Sequence, residues 1–381
     1  MPVSYAARSI RVFPLPTSRP SGLPTWLCCL TTAAVLALGT ACDGPRPATT
    51  EHGSSAVSDS ATLCHRIDAV LAHARDARRL DADVHGAWQV VHGVLAFGPD
   101  FPLVHDEKTG SALEYLLSGG RLTGWQLRAG KPGVVAVVDE GSTMGQGHPD
   151  QWLGYLAHCG IGTSGGPGGV PLDTPLVVAD RRFTVADLLA QAQHDIRAGQ
   201  EATWTLMALS TFLPPDASWT AGDGTAWTTE KVVRMEADAD IFSAACGGAH
   251  RLYGLAAAVR ARRAAGGAAD DGWAAAEEVL EDCIDRARRF QQPDGSFSTH
   301  YFERPGTSPD VFARLGATGH VFEVLAFALD DERLTEPWVT RAADRLTTLL
   351  EQTADVDVEC GALYHAVHGL ALYRARRCGS D

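Results

Sequence analysis

A recurrent apolar segment constrains the fold more than any other feature of this 381-residue sequence. In most of its copies, small residues lead into an apolar stretch without long polar interruptions. The clearest copies are 85–96, 148–157, 246–256, 316–326 and 360–371, and 201–208 fits the same apolar frame without the glycines. A helix that is apolar on nearly every face is buried on nearly every face. The sequence therefore predicts six buried helices.

Amphipathic segments with exposed charge lie between the buried ones. Their apolar residues recur at spacings of three and four, which is typical of helices covered on one face. Pairing each with the buried helix that follows gives six hairpins: 59–97, 109–159, 184–212, 229–263, 271–329 and 335–374. Alternating outer and inner helices predict an all-α fold, an α/α toroid of about six helical hairpins. An irregular helical array is the alternative.

The N-terminus has the pattern of an export signal. Three arginines precede an apolar stretch at 23–38, and a run of small residues ends at Cys42. The stretch is too short for a stable transmembrane helix. Cys42 also fits a bacterial lipobox, in which this cysteine is acylated after cleavage, although Gly39 stands where lipoboxes usually carry leucine. Simple secretion and an unprocessed cytoplasmic start are the alternatives.

These observations divide the chain into three parts. We expect a signal peptide with a lipobox at 1–42, a flexible tether at 43–58 and the toroid domain at 59–381. The tether assignment depends on its Pro/Thr/Ser/Gly-rich composition. The predicted location is the periplasm or cell envelope, with a lipid anchor on Cys42.

Composition limits the partners. The chain carries 32 Lys and Arg against 46 Asp and Glu, a net charge of −14. Nucleic acids and anionic membrane surfaces both favour basic proteins, so neither is an expected partner. Membrane contact is expected only through the N-terminal lipid, and an envelope glycan or protein remains as the kind of partner.

The cysteines of the domain allow disulfides but no common metal motif. Six cysteines follow the lipobox: Cys64, Cys159, Cys246, Cys283, Cys360 and Cys378. In an exported chain they permit up to three disulfides, and 15 connectivities are open. The absence of any CxxC motif excludes the common zinc-ribbon and thioredoxin-type signatures.

One motif resembles a known class of folds. The segment 290–297, FQQPDGSF, is similar to the Gln-x-x-Asp-Gly-Ser/Gly-aromatic repeat of terpenoid-cyclase, prenyltransferase and macroglobulin-type toroids. In these folds the glutamine and the Asp-Gly turn brace the neighbouring hairpin. More closely, 245–252, 293–298 and 318–323 resemble an uncharacterised family of exported bacterial proteins, frequent in planctomycetes, over about 85–381. The resemblance implies the fold and export, and no established activity.

The sequence lacks the motifs that the known reactions of those toroids require. A cyclase needs Asp-x-Asp-Asp, and 238–241 lacks the final acid. A thioester domain needs Cys-x-Glu-Gln, whereas Gly247 and Gly248 follow Cys246. Prenyltransferases bind zinc through Asp, Cys and His. On a helix, the spacing of four between Cys246 and His250 would place both on one face, which alone is a weak indication.

Polar residues recur at one position of the apolar frame. Aligning the buried helices places six polar residues in register, with four further polar or aromatic residues three positions later. The resulting candidates for lining a central cavity are Gln89, His92, Asp150, Glu201, His250, His320, Glu323, His365 and His368. Tyr253 occupies the same later position as His92. If the inner helices run parallel, these residues form one layer around the axis.

Three interpretations of this layer stay open. Polar residues in a first helical turn often only cap free N–H groups or face a wet channel. Carboxylates beside imidazoles also suit substrate binding or acid–base catalysis. His-x-x-His and His-x-x-Glu spacings provide metal ligands, with neither the metal nor any other cofactor identified. We therefore expect an envelope protein that binds a ligand, polymer or partner in a polar cavity, or else a polysaccharide lyase, hydrolase or metal-dependent enzyme.

Overall fold

Helices form most of the domain. The computed structural model describes residues 53–142, 147–162 and 168–379, and only the backbone of 53–60. The chain divides into two units, Met1–Thr50 and Glu51–Asp381. The predicted signal, Cys42 and most of the predicted tether lie outside the described residues.

Twelve α-helices occur in the described ranges, and they confirm the all-α class. They are α1 Gly53–Asp76, α2 Ala87–Phe97, α3 Ala112–Leu117, α4 Gln151–His158, α5 Val185–Asp195, α6 Thr203–Phe212, α7 Thr229–Ala237, α8 Ala249–Ala264, α9 Asp271–Phe290, α10 Val311–Ala328, α11 Pro337–Gln352 and α12 Cys360–Arg377. Each predicted hairpin contains one odd-numbered helix followed by one even-numbered helix.

The even-numbered helices are the buried ones, and each contacts the next. Helix α2 packs on α4, α4 on α6, α6 on α8, α8 on α10 and α10 on α12, and α12 returns to α2. This cyclic order is the one that the toroid prediction expects. Helices α10 and α12 run parallel, because Gly319 faces Ala366 and, further along both helices, Glu323 faces Gly369.

Small residues allow this close approach. A Cβ on Gly319 would lie 2.8 Å from the Cβ of Ala366, and one on Gly369 would lie 2.9 Å from the Cα of Glu323. Only glycine leaves room for the neighbouring backbone at such distances. The glycines that mark the repeat in the sequence are therefore points of helix–helix contact.

The odd-numbered helices cover the ring from outside. Helix α1 packs on α11 and α12, α9 on α7 and α8, and α11 on α10 and α12. Helix α1 begins at Gly53, so the last six residues of the predicted tether, 53–58, belong to this helix. Residues 54–58 contain Ser, Ala and Val and no Gly or Pro, so nothing in their composition prevents the helix from extending upstream.

Short strands are the main departure from the predicted pattern. Strands β1 Leu80–Asp81, β2 Pro102–His105 and β3 Lys108–Ser111 form one sheet. Three two-stranded hairpins follow: β4 Trp125–Ala129 with β5 Val134–Val138, β6 Pro175–Val178 with β7 Arg181–Thr184, and β8 Ser218–Thr220 with β9 Ala226–Thr228. Strands β3, β7 and β9 each run directly into an outer helix. Strands this short carry little hydrophobic periodicity, so helical spacing did not indicate them.

The FQQPDGSF motif braces the following hairpin as the resemblance implies. The Gln291 side chain donates to the backbone oxygens of Gly295 and Trp338, at 3.0 and 2.8 Å. Asp294 pairs with Arg314 of α10 and Arg345 of α11. Phe297 is 1% exposed and lies edge-on to Trp338. The turn therefore ties the end of α9 to the starts of α10 and α11.

A disulfide between Cys64 of α1 and Cys378 joins residues 314 positions apart. The other described cysteines, Cys159, Cys246, Cys283 and Cys360, are free thiols. Among the described residues, one helix, Val311–Ala328, has the length and composition of a membrane span, and 67% of it is buried inside the domain. This helix is α10, a core helix of the ring.

Candidate functional site

Three imidazoles from neighbouring helices meet at the centre of the ring. His250 of α8, His320 of α10 and His365 of α12 are 7%, 5% and 2% exposed. The ring centroids of His320 and His365 lie 4.3 Å apart, and Nε2 of His250 lies 3.2 Å from Nε2 of His365. Together with Cys246, these side chains form what we call the axial cluster.

The thiol of Cys246 is held against the imidazoles by an unusual turn. Cys246, Gly247 and Gly248 all have left-handed backbones, with φ of 52°, 59° and 82°. A Cβ on Gly247 would lie 2.4 Å from Cγ of Tyr301, so the tight turn requires glycine there. A left-handed cysteine is strained, and such strain is concentrated at functional sites. As a result, the ligand atoms of Cys246, His250 and His320 all lie within 4.8 Å of one another.

Glu323 orients two of the histidines. Its carboxylate accepts from Nδ1 of His365 at 2.8 Å and from Nδ1 of His368 at 2.6 Å. Burial opposes ionisation of this carboxyl, but the two imidazoles outweigh it and hold the pKa of Glu323 below its ordinary value. Because Nδ1 of His365 is the donor, its Nε2 keeps a lone pair, and this atom lies 3.2 Å from Nε2 of His250.

Backbone carbonyls orient two further imidazoles in the same way. Nδ1 of His320 lies 2.7 Å from the oxygen of Gly316, and Nδ1 of His92 lies 2.6 Å from the oxygen of Trp88. A carbonyl only accepts, so Nδ1 carries a hydrogen in both rings. In the neutral His92 ring this leaves Nε2 as an acceptor. Nε2 of His92 lies 3.0 Å from the hydroxyl of Tyr155, which itself lies 3.4 Å from Nε2 of His365.

Burial sets the charge of most of these rings. It lowers the pKa of His92 and of His250, and lowers that of His365 despite the opposing effect of Glu323. His320 is the exception: burial lowers its pKa, but Cys246, Glu323 and the backbone oxygen of Gly316 together outweigh burial and raise it to about 9. The cluster therefore combines the nitrogens of three buried imidazoles with a sulfur, and Nδ1 of His250 has no hydrogen-bond partner among the described residues.

No family model, curated protein or solved structure matches this chain. The resemblance to exported bacterial toroids stays a prediction.

A second buried group continues the axis beyond the axial cluster. His158 of α4 contacts the hydroxyls of Tyr253 and Thr211, at 3.3 and 3.2 Å. Burial lowers the pKa of His158 to about 3. Nε2 of His368 has no hydrogen-bond partner among the described residues. This group is polar but enclosed, with aromatic rings such as Phe327 packed on His158.

The structure brings together six of the nine residues proposed from the sequence: His92, His250, His320, Glu323, His365 and His368. At the level of these six residues, side chains in contact with one another occupy the axis of the ring. The alignment had predicted that they line a cavity. His92 contacts His365 directly, with ring centroids 5.2 Å apart, although the alignment placed it one turn deeper.

The other three candidates have different partners. The Gln89 side chain accepts from the backbone N–H of Gly86 in the first turn of α2. Asp150 precedes α4 and accepts from the Thr205 hydroxyl, and burial raises its pKa to about 6. Glu201 contacts Nδ1 of His148 at 2.6 Å. Gln89 lines a cleft between the first turns of α2 and α12, and its capping contact with Gly86 holds its side chain.

Cys246, Tyr155 and His158 are not among the nine candidates from the sequence. Cys246 lies outside the aligned frame, in the 3-10 turn that precedes α8. The spacing of four between Cys246 and His250 was the available signal for it. Tyr155 and His158 occupy frame positions that are apolar in the other repeats, so no pattern distinguished them.

Proposed function

We propose that this chain is a zinc-binding protein of the cell envelope and that the axial cluster holds the ion. The observation that carries the proposal is the convergence of Cys246, His250 and His320, whose ligand atoms lie within 4.8 Å of one another. Zinc favours mixed sulfur and imidazole ligands in tetrahedral sites. Because two helices and the turn before one of them supply these ligands, an ion here would tie the ring together at its centre.

The position of His365 supports a fourth ligand. Two imidazole nitrogens bound to one tetrahedral zinc lie about 3.3 Å apart, given Zn–N bonds of about 2.0–2.1 Å. The Nε2 atoms of His250 and His365 are 3.2 Å apart. His365 is thus placed to share an ion with His250, and a site closed by four protein ligands is typical of structural rather than catalytic zinc.

The surroundings of these ligands also fit a metal. Ligating histidines commonly donate their second nitrogen to a carboxylate or a backbone carbonyl, which fixes the tautomer. His365 does so to Glu323 and His320 to the oxygen of Gly316.

The test is metal content and cobalt spectroscopy on the purified chain. We expect one zinc per chain by elemental analysis. Replacement with Co²⁺ should give the sulfur-to-cobalt charge-transfer band and the intense visible bands of a tetrahedral site. Cys246→Ser should abolish the charge-transfer band, while Cys283→Ser, which changes a buried free thiol of α9, should leave it unchanged. A chain that binds neither ion, or a Cys246→Ser chain with the wild-type spectrum, would overturn the proposal.

A thiol nucleophile at Cys246 is the second candidate. It is favoured by the left-handed backbone of Cys246, its partial exposure and the neighbouring His320. Iodoacetamide separates the two candidates. A nucleophile is alkylated in the purified protein, whereas a zinc ligand is protected until a chelator removes the metal.

The location in the envelope is part of the proposal. The Cys64–Cys378 disulfide supports it, since such bonds persist in oxidising compartments. Cys42→Ala should leave the precursor uncleaved, or release an unlipidated product from the membrane fraction. Unchanged membrane association and mass would exclude the lipid anchor.

A further inference from the structure

Cys246 differs in accessibility from the other free cysteines that the structure describes. Cys246 is partly exposed, whereas Cys159, Cys283 and Cys360 are buried. Burial raises the pKa of each of these three thiols to about 12, so they stay protonated at neutral pH. The thiolate is the reactive form of cysteine, and buried structural thiols are inert. Among the described free cysteines, Cys246 is therefore the one that a dissolved oxidant can reach.

The sulfur of Cys246 lies in the axial cluster and not on an open surface. It hydrogen-bonds with His320, and the ligand atoms of Cys246, His250 and His320 lie within 4.8 Å of one another. Accessible cysteines beside imidazoles are the ones that oxidants attack selectively. No other described cysteine belongs to this set of ligand atoms. The first product of oxidation here is therefore a sulfenic acid and not an internal disulfide.

Zinc and an oxidant would use the same electron pair of this sulfur. Zinc binds cysteine as the thiolate, which donates an electron pair to the ion. A peroxide takes the same pair when the thiolate attacks it. A sulfur that has become a sulfenic acid no longer offers a thiolate to the ion, and the cluster is then left with its imidazoles alone.

We propose that Cys246 is an oxidation site for hydroperoxides, and that its oxidation and zinc binding at the axial cluster exclude each other. The thiolate sulfur attacks one oxygen of hydrogen peroxide, so that an S–O bond forms while the O–O bond breaks. The other oxygen leaves as hydroxide with the two electrons that the sulfur has lost, and takes a proton from water. A thiol reductant returns the sulfenic acid to the thiol. The exclusion rests on the proposed function, whereas the oxidation of Cys246 does not.

The test compares the purified chain treated with a chelator alone and with a chelator plus hydrogen peroxide, each then desalted and given zinc. We expect the first sample to bind one zinc per chain and the second to bind none until a thiol reductant has been added and removed. Dimedone, which traps sulfenic acids, should label Cys246 in an aliquot of the second sample, as located by peptide mass spectrometry. Peroxide added in the presence of saturating zinc and without chelator should give no label.

Two variants serve as matched controls. In Cys246→Asp the new residue tolerates the left-handed backbone at this position, where φ is 52°, and offers zinc a carboxylate oxygen that peroxide does not oxidise. This variant should bind zinc equally before and after peroxide and take up no dimedone there. Cys283→Ser, which removes a buried thiol, should respond to peroxide as the wild type does.

The outcomes separate this inference from the zinc proposal. Absence of the dimedone label from Cys246 in the chelator-plus-peroxide sample overturns the oxidation site. Undiminished zinc binding by a chain oxidised at Cys246, or labelling of Cys246 while zinc stays bound, overturns the exclusion. A chain that binds no zinc under any condition, yet is labelled at Cys246, overturns the zinc proposal and the exclusion with it, and leaves the oxidation site standing.

Discussion

Removing the Cys64–Cys378 disulfide should cost a large part of the stability of the domain. The bond joins residues 314 positions apart and so closes almost the whole domain into one loop. In the chain-entropy model a cross-link lowers the conformational entropy of the unfolded chain, and this loss grows with the logarithm of the loop length. For this separation the model gives about 5–6 kcal/mol at 25 °C, against a typical total of about 5–15 kcal/mol.

Urea unfolding followed by far-UV circular dichroism measures this loss. The Cys64→Ser/Cys378→Ser chain should unfold at markedly lower urea than the wild type. The internal control is a phosphine reductant, which should destabilise the wild type to the level of the double variant and leave the variant itself unchanged. A loss below about 1 kcal/mol would refute the reasoning from loop length, and a difference that persists in reductant would assign the loss to packing instead.

Three further predictions follow from particular contacts. Phe297→Ala should lower the free energy of unfolding by about 3–5 kcal/mol, because Phe297 is 1% exposed; unchanged thermal stability would exclude its bracing role. Gly369→Ala should cost about 1–3 kcal/mol, because its Cβ would lie 2.9 Å from Glu323, whereas Gly110→Ala meets nothing within 4 Å and serves as the control; equal stabilities would contradict the close packing of α10 and α12. The pKa of His158 is about 3 in the folded chain, so the unfolded chain binds a proton below about pH 6.5 that the folded chain does not. The free energy of unfolding should therefore fall by about 2 kcal/mol between pH 6.5 and 5. Urea unfolding at the two pH values measures this loss, and His158→Gln should remove it. An unaltered dependence of stability on pH in this variant would show that His158 is not the cause.

The sequence predicted which residues lie at the same height along the inner helices, but it did not predict which of them contact one another in the axial cluster. The alignment of apolar helices identified His250, His320 and His365 as one group because each belongs to the same repeat position. It also included Gln89, whose side chain bonds to Gly86 at the start of α2. A repeat frame specifies the height of a residue along its helix to within about a turn. Which neighbour a side chain contacts depends on the rotation and spacing of the helices.

The sequence by itself determined the number of helical hairpins, the distinction between buried and outer helices, and the turn at 290–297. These properties depend on local spacing, because apolar periodicity and Asp-Gly turns act within a few residues along the chain. The glycines also marked where helices approach, since close backbone contact admits no side chain.

Only the tertiary structure decided which cysteines pair, that Cys246 joins the imidazoles, and that Glu323 of α10 binds both His365 and His368 of α12. Each of these contacts joins residues on different helices or turns, and many arrangements of six helices would preserve the same local periodicity. The physical reason is that a contact between distant residues depends on how whole helices pack. Packing depends on the shapes of all the side chains between them, which no short pattern in the sequence contains.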